Sequence, residues 1–69
     1  MKWNKFDPEN PPNHGYTYWE IDEGNGFRYL IGSYSAGYLE VNKYFGYSDK
    51  QLLEKNAHWI YPQALEMPE

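Results

Sequence analysis

Glu23-Gly24-Asn25-Gly26 stands between two runs of β-forming residues, Tyr16 to Asp22 and Phe27 to Tyr34. Asn-Gly is the strongest short hairpin signal, because both central residues of a type I′ turn need positive φ. The chain is therefore expected to reverse on itself here and to build antiparallel sheet. With Asn25-Gly26 as the turn, Ile21 lies opposite Leu30 and Trp19 opposite Gly32.

Ser35-Ala36-Gly37 offers a second reversal, into a strand from Tyr38 to Phe45. Pairing Tyr34 with Tyr38 would bury Glu40 and Asn42 on the face that carries Trp19, at ~1–3 kcal/mol for each unpartnered group. Pairing Tyr34 with Leu39 puts Leu39, Val41 and Phe45 there instead, and since a one-residue slip inverts every side chain, the apolar match selects this register. Gly46-Tyr47 reads as a break. Ser48-Asp49-Lys50-Gln51 has the form of a capping box ahead of Leu52 and Leu53, so a short helix over about 48–56 follows. Ala57 to Tyr61 forms a further strand, stopped by Pro62.

Residues 1–15 hold Pro8, Pro11 and Pro12 among Asn and Asp, a composition that resists helix and ladder alike. They read as an extended arm pinned to the core by Trp3 and Phe6. The expected fold class is α+β, mainly β: a three- to four-stranded antiparallel meander sheet with one short helix packed on one face. It forms a single domain, 1–69, comprising the arm 1–15, the sheet and helix 16–61, and a tail 62–69.

A chain of 69 residues without cysteine has neither the length for a large core nor a disulfide to replace one. Its 14 aromatics, three Trp, eight Tyr and three Phe, must supply the packing. The registers place Trp19, Ile21, Leu30, Gly32, Tyr34, Leu39, Val41 and Phe45 on the core face, to be covered by Leu52, Leu53 and Trp59. The opposite face then carries Tyr18, Glu20, Asp22, Tyr29, Ile31, Tyr38, Glu40 and Tyr44. Tyrosine joins a large apolar ring to a hydroxyl that needs a partner, so it suits surfaces that are wet when free and buried when bound. These eight residues are the candidate partner-binding site.

Catalytic chemistry has little support in the sequence. His14 and His58 sit in no ligand-spaced cluster, so no metal and no cofactor is expected. No serine has a nucleophile-elbow context. Glu20, Asp22, Glu23 and Glu40 could include an acid/base pair, but carboxylates on an open sheet lack the burial that separates pKa values. Six basic against ten acidic residues give a net charge of -4, which disfavours direct nucleic-acid binding. No stretch approaches the ~20 apolar residues of a membrane span.

Trp3, the segment ending at Pro11-Pro12, Gly15 at the start of a strand, His58-Trp59 with Pro62, and Met67-Pro68-Glu69 form a layout. It resembles a family of small tailed-phage and prophage proteins of unknown function, which open with Trp and Pro and close with Thr-His-Trp and Pro-Glu-Pro segments. The resemblance implies a phage accessory gene expressed in the host cytoplasm, and supplies no catalytic residues. The function expected is therefore non-catalytic binding of a host protein or complex through the tyrosine and acid face, inhibiting a defence system such as restriction or CRISPR. The alternatives are a homodimeric or higher assembly module acting through that face or a strand edge, and a small carbohydrate- or nucleotide-binding protein, which would need a concave pocket.

Overall fold

The computed structural model describes residues 2–13 and 15–63. His14, one of the two histidines weighed as ligands, and residues 64–69 of the expected tail lie outside them. The described elements are β1 (Asn4–Lys5), β2 (Tyr16–Asp22), β3 (Phe27–Ser35), β4 (Tyr38–Asn42), β5 (Phe45–Ser48), α1 (Asp49–Glu54) and β6 (His58–Ile60). The strands form one antiparallel sheet in the order β1-β6-β2-β3-β4-β5.

The sheet thus has six strands rather than the three or four expected, and is a meander only from β2 to β5. Two departures account for the difference. The arm is not merely extended: Asn4 and Lys5 pair with Trp59 and His58, and the Phe6 N–H donates to the Ala57 carbonyl at 2.8 Å. The strand expected from Tyr38 to Phe45 instead divides at Lys43-Tyr44, where the Asn42 side-chain oxygen accepts the Tyr44 N–H at 2.8 Å and turns the chain. Gly46-Tyr47, read as a break, lies inside β5.

The first hairpin also turns earlier than the sequence suggests. Positive φ falls on Gly24 (90°) and Gly26 (149°), not on Asn25. The Asp22 carboxylate accepts the Gly24 N–H at 2.8 Å, and the Glu23 N–H reaches the Gly26 carbonyl at 2.9 Å. As a result Trp19 faces Leu30 and Ile21 faces Arg28, a slip of two residues from the expected pairs. A slip of two leaves every side chain on its expected face. In the second hairpin Tyr34 pairs with Leu39, as the apolar argument required. Ala36 (φ 51°) and Gly37 (φ 81°) supply the positive φ that a tight type I′ reversal needs.

Phe6, Trp19, Ile21, Leu39, Tyr47, Leu52, Ala57 and Trp59 form the core, with Leu30, Tyr34, Val41 and Tyr61 packed against it. Phe6 lies 5.9 Å from the Trp19 ring and 5.6 Å from Tyr34, so the arm covers the core face. Capping holds α1 against that face: Ser48 Oγ accepts the Gln51 N–H, and the Gln51 side chain accepts the Ser48 N–H. Leu52 is the buried residue of α1, whereas Leu53, expected to cover the core, is exposed. Phe45, also expected inside, is partly exposed and packs on Tyr47 at 5.1 Å. Tyr47 takes the buried position opposite Leu39.

Candidate interaction face

Alternation along paired strands decides which side chains share a face. Tyr18 stands opposite Ile31 on one side and Ile60 on the other, and Glu20 lies between Tyr29 and His58. Lys5 continues the second row and Asp22-Phe27 forms a third. Glu40 is opposite Ser33 and Gly46, and Tyr38 is opposite Ser35 and Ser48. Seven of the eight expected residues, Tyr18, Glu20, Asp22, Tyr29, Ile31, Tyr38 and Glu40, therefore lie on the side away from the core.

Tyr44 is the exception. It sits in the turn between β4 and β5, 85% exposed, with Lys43 Nζ 5.0 Å from its ring centre. A residue at a turn is not held by cross-strand neighbours, so its ring is positioned independently of the sheet pleat.

Trp3 joins the face in place of Tyr44. Trp3 and Phe6 are three residues apart in extended chain, an odd interval that sends them to opposite sides of the sheet. The expectation that both pin the arm to the core is corrected: Phe6 does, while the half-buried Trp3 meets Tyr29 edge-on at 6.3 Å. Since β6 and β2 separate β1 from β3 in the sheet order, the Trp3 and Tyr29 rings together must span those two strands to meet. The result is an open groove of about 310 Å³ lined by Trp3, Tyr18, Trp19, Tyr29, Leu30 and Ile31. Its outer wall stays accessible, Tyr29 being 63% and Ile31 52% exposed. Phe27, also exposed, extends the apolar row and was not among the expected residues. The signal that could have found Trp3 and Phe27 is the same alternation, carried into the arm and to the first residue after the turn.

The carboxylates of the region are committed differently. Glu20 accepts the Tyr29 hydroxyl at 2.9 Å, and that bond holds the Tyr29 pKa above the usual phenol value. Asp22 is used by the turn, and Glu40 remains exposed. Glu23 departs from the acid cluster altogether: it binds Lys55 Nζ at 2.7 Å, Arg28 Nε at 3.3 Å and the Tyr47 hydroxyl at 3.3 Å. The Lys55 hydrogen bond leads the causes that lower the Glu23 pKa, and the same bond raises that of Lys55. Glu23 is thus a clasp between the first hairpin, β5 and the end of α1. Among the described residues no group of three or more His, Asp or Glu gathers as a metal site, and no helix is long and apolar enough to cross a membrane.

Two tyrosines beneath the sheet make stability depend on alkaline pH. Burial, and then a 2.6 Å hydrogen bond to Asp49, push Tyr34 up to about 12 from an ordinary 10.0. Burial likewise raises Tyr47. A phenol whose folded pKa exceeds its unfolded value supports the fold fully below the unfolded pKa and withdraws that support as pH rises through the folded one. Lys55, raised in the folded state, acts in the same direction. The urea midpoint should hold up to about pH 9 and fall steadily between about pH 10 and 12, with a shallower fall in Tyr34→Phe. A midpoint flat across that window would refute the assignment.

No family model, curated protein or solved structure matches the chain in comparisons of its sequence and fold.

Proposed function

We propose that this chain is a non-catalytic protein-binding module whose groove and tyrosine face take a basic surface of a host protein. The observation that carries the reading is the path of the arm. Phe6 seals the core face, but on the other face the arm contributes Trp3 and the exposed Lys5, and Tyr29 and Ile31 stay open beside Trp3. Aromatic anchors next to an open groove are the usual composition of a binding hot spot. Glu20 and Glu40 on that face, with the net charge of -4, favour a cationic partner and an association that weakens with salt. The phage-like layout supplies the setting: a bacterial partner in the host cytoplasm, with a defence complex such as restriction or CRISPR as the target class and inhibition as the consequence.

The test is affinity capture from a bacterial host, followed by titration of the captured protein against variants. Tyr29→Ala removes an anchor and Glu20→Lys reverses the charge beside it, while Glu54→Lys alters an exposed helix residue away from the face. Each of the first two should weaken binding about 30-fold, equivalent to about 2 kcal/mol, with Glu54→Lys unchanged. Equal binding by Tyr29→Ala and Glu20→Lys, both folded by circular dichroism, would sink the proposal.

A further inference from the structure

β3 has a strand along all of one side and along only part of the other. Phe27 to Ser33 pair with β2, but β4 accompanies only Ser33, Tyr34 and Ser35. Beyond Glu40 no residue of β4 pairs with β3, and the β4–β5 ladder shifts register before Asn42 pairs with Phe45. Among the described residues, no strand pairs with the outer edge from Phe27 to Ile31, although the Phe45 ring comes within 5.9 Å of the Arg28 guanidinium.

The two hairpins agree on which backbone groups face this edge. The Glu23 N–H bond to the Gly26 carbonyl makes 23 and 26 a hydrogen-bonded pair, and alternation then turns the N–H and C=O of Arg28, Leu30 and Gly32 toward β2. Those of Phe27, Tyr29 and Ile31 point outward. The tight Ala36-Gly37 turn gives the same parity, because it makes Ser35 with Tyr38, and hence Ser33 with Glu40, the bonded pairs on the β4 side. The side chains of Phe27, Tyr29 and Ile31 are exposed as well.

Exposed edges are usually blunted by proline, lysine or a bulge. This one has none of them. Its single charge, Arg28, is already bridged to Glu23 at 3.3 Å, so two such edges can meet without bringing opposed like charges.

We propose that two copies of this chain pair antiparallel along the outer edge of β3, about a two-fold axis beside Tyr29. This register sets Tyr29 against Tyr29 of the partner subunit and Phe27 against Ile31 of the partner subunit, twice. Three bonded pairs result, each exchanging two N–H···O=C bonds, or about six in all. Moving the axis to Leu30 would use Ser33, which β4 already occupies, and loses one pair. Aromatic–aromatic and aromatic–β-branched neighbours are the cross-strand pairs that stabilise sheets most, and Arg28 comes to lie opposite Leu30 of the partner subunit rather than another arginine. Trp3 already abuts Tyr29 from the inner side, so pairing joins the two grooves into one aromatic surface. Nothing in this pairing depends on a heterologous partner. A five-residue edge is a small interface, so the dimer should be in concentration-dependent equilibrium rather than obligate.

Sedimentation equilibrium of the full chain should show the mass rising from 8.3 kDa toward twice that value with concentration. Amide hydrogen exchange should gain protection with concentration at Phe27, Tyr29 and Ile31, and stay constant at Arg28 and Leu30. Ile31→Lys adds an edge lysine without removing a bond to β2, and should weaken the dimer roughly tenfold or more. A mass fixed at 8.3 kDa up to about 1 mM, where a ~100 μM dissociation constant would leave most chains paired, would overturn the proposal. So would a dimer in which the three amides gain no protection, or one that Ile31→Lys leaves intact. The exchange contrast needs no variant and stands even if the lysine substitution fails to fold.

Discussion

Trp19→Ala should leave the chain unfolded at room temperature. Trp19 is fully buried in β2, paired with Leu30 on one side and Trp59 on the other. Phe6 packs on it at 5.9 Å and Tyr34 of β3 at 6.5 Å, so the indole links the arm to both neighbouring strands. Its removal costs about 3–5 kcal/mol in lost burial and cavity. A core in a chain this small rarely supplies more than ~3–5 kcal/mol in total, so the loss matches the whole stability. Trp19→Phe separates packing from hydrogen bonding. The indole N–H donates to Thr17 Oγ1 at 2.6 Å, and the Thr17 hydroxyl donates to the Gly32 carbonyl at 3.3 Å. With a ring retained, that variant should fold, about 1–3 kcal/mol less stable. Urea titration followed by far-ultraviolet circular dichroism measures both. A cooperative Trp19→Ala transition within about 1 kcal/mol of the unmodified chain would show that the core does not depend on this residue.

Legibility followed the range of the interactions involved. The capping box at Ser48 and the Tyr34–Leu39 register were readable because each is decided by residues close in sequence. The face of Tyr18, Glu20, Tyr29 and Ile31 was readable because alternation survives a slip of two. The position of the turn was not, because the Asp22 carboxylate selects Gly24 rather than Asn25-Gly26, a side-chain choice that the Asn-Gly signal outweighs in sequence. β1 was hidden by a similar conflict: proline and asparagine mark the arm as irregular, yet its pairing with β6 spans more than fifty residues and leaves no local pattern. Trp3 reads as a core residue by size alone, whereas its side of the sheet is decided by that distant pairing. Glu23 looked like one acid among four until Lys55, Arg28 and Tyr47 converged on it from three other parts of the chain.

Gly46→Ala is the substitution that best tests how the tyrosine face is held. Glycine in this segment signals a break when read locally, but in β5 it makes room. A Cβ at Gly46 would collide with the Leu39 carbonyl oxygen and with the Tyr38 ring, which lies over the glycine. The two obstacles differ in what can yield. Leu39 is fully buried and paired with Tyr34 and Tyr47, so its backbone is fixed, whereas Tyr38 is 45% exposed and its ring can swing into water. Gly46→Ala should therefore cost about 1–3 kcal/mol, the usual penalty for overpacking a filled site, and should expose Tyr38 further. Because the ring is one of the two clashes, Tyr38→Ala should relieve part of the penalty. The double variant should then be more stable than the sum of the single losses by at least about 0.5 kcal/mol. Strict additivity would mean that the ring is free of Gly46 and that Tyr38 reaches a partner from a mobile rather than a prepositioned state. Coupling would mean that the glycine aims the ring, and that a binding surface on this face is set before any partner arrives.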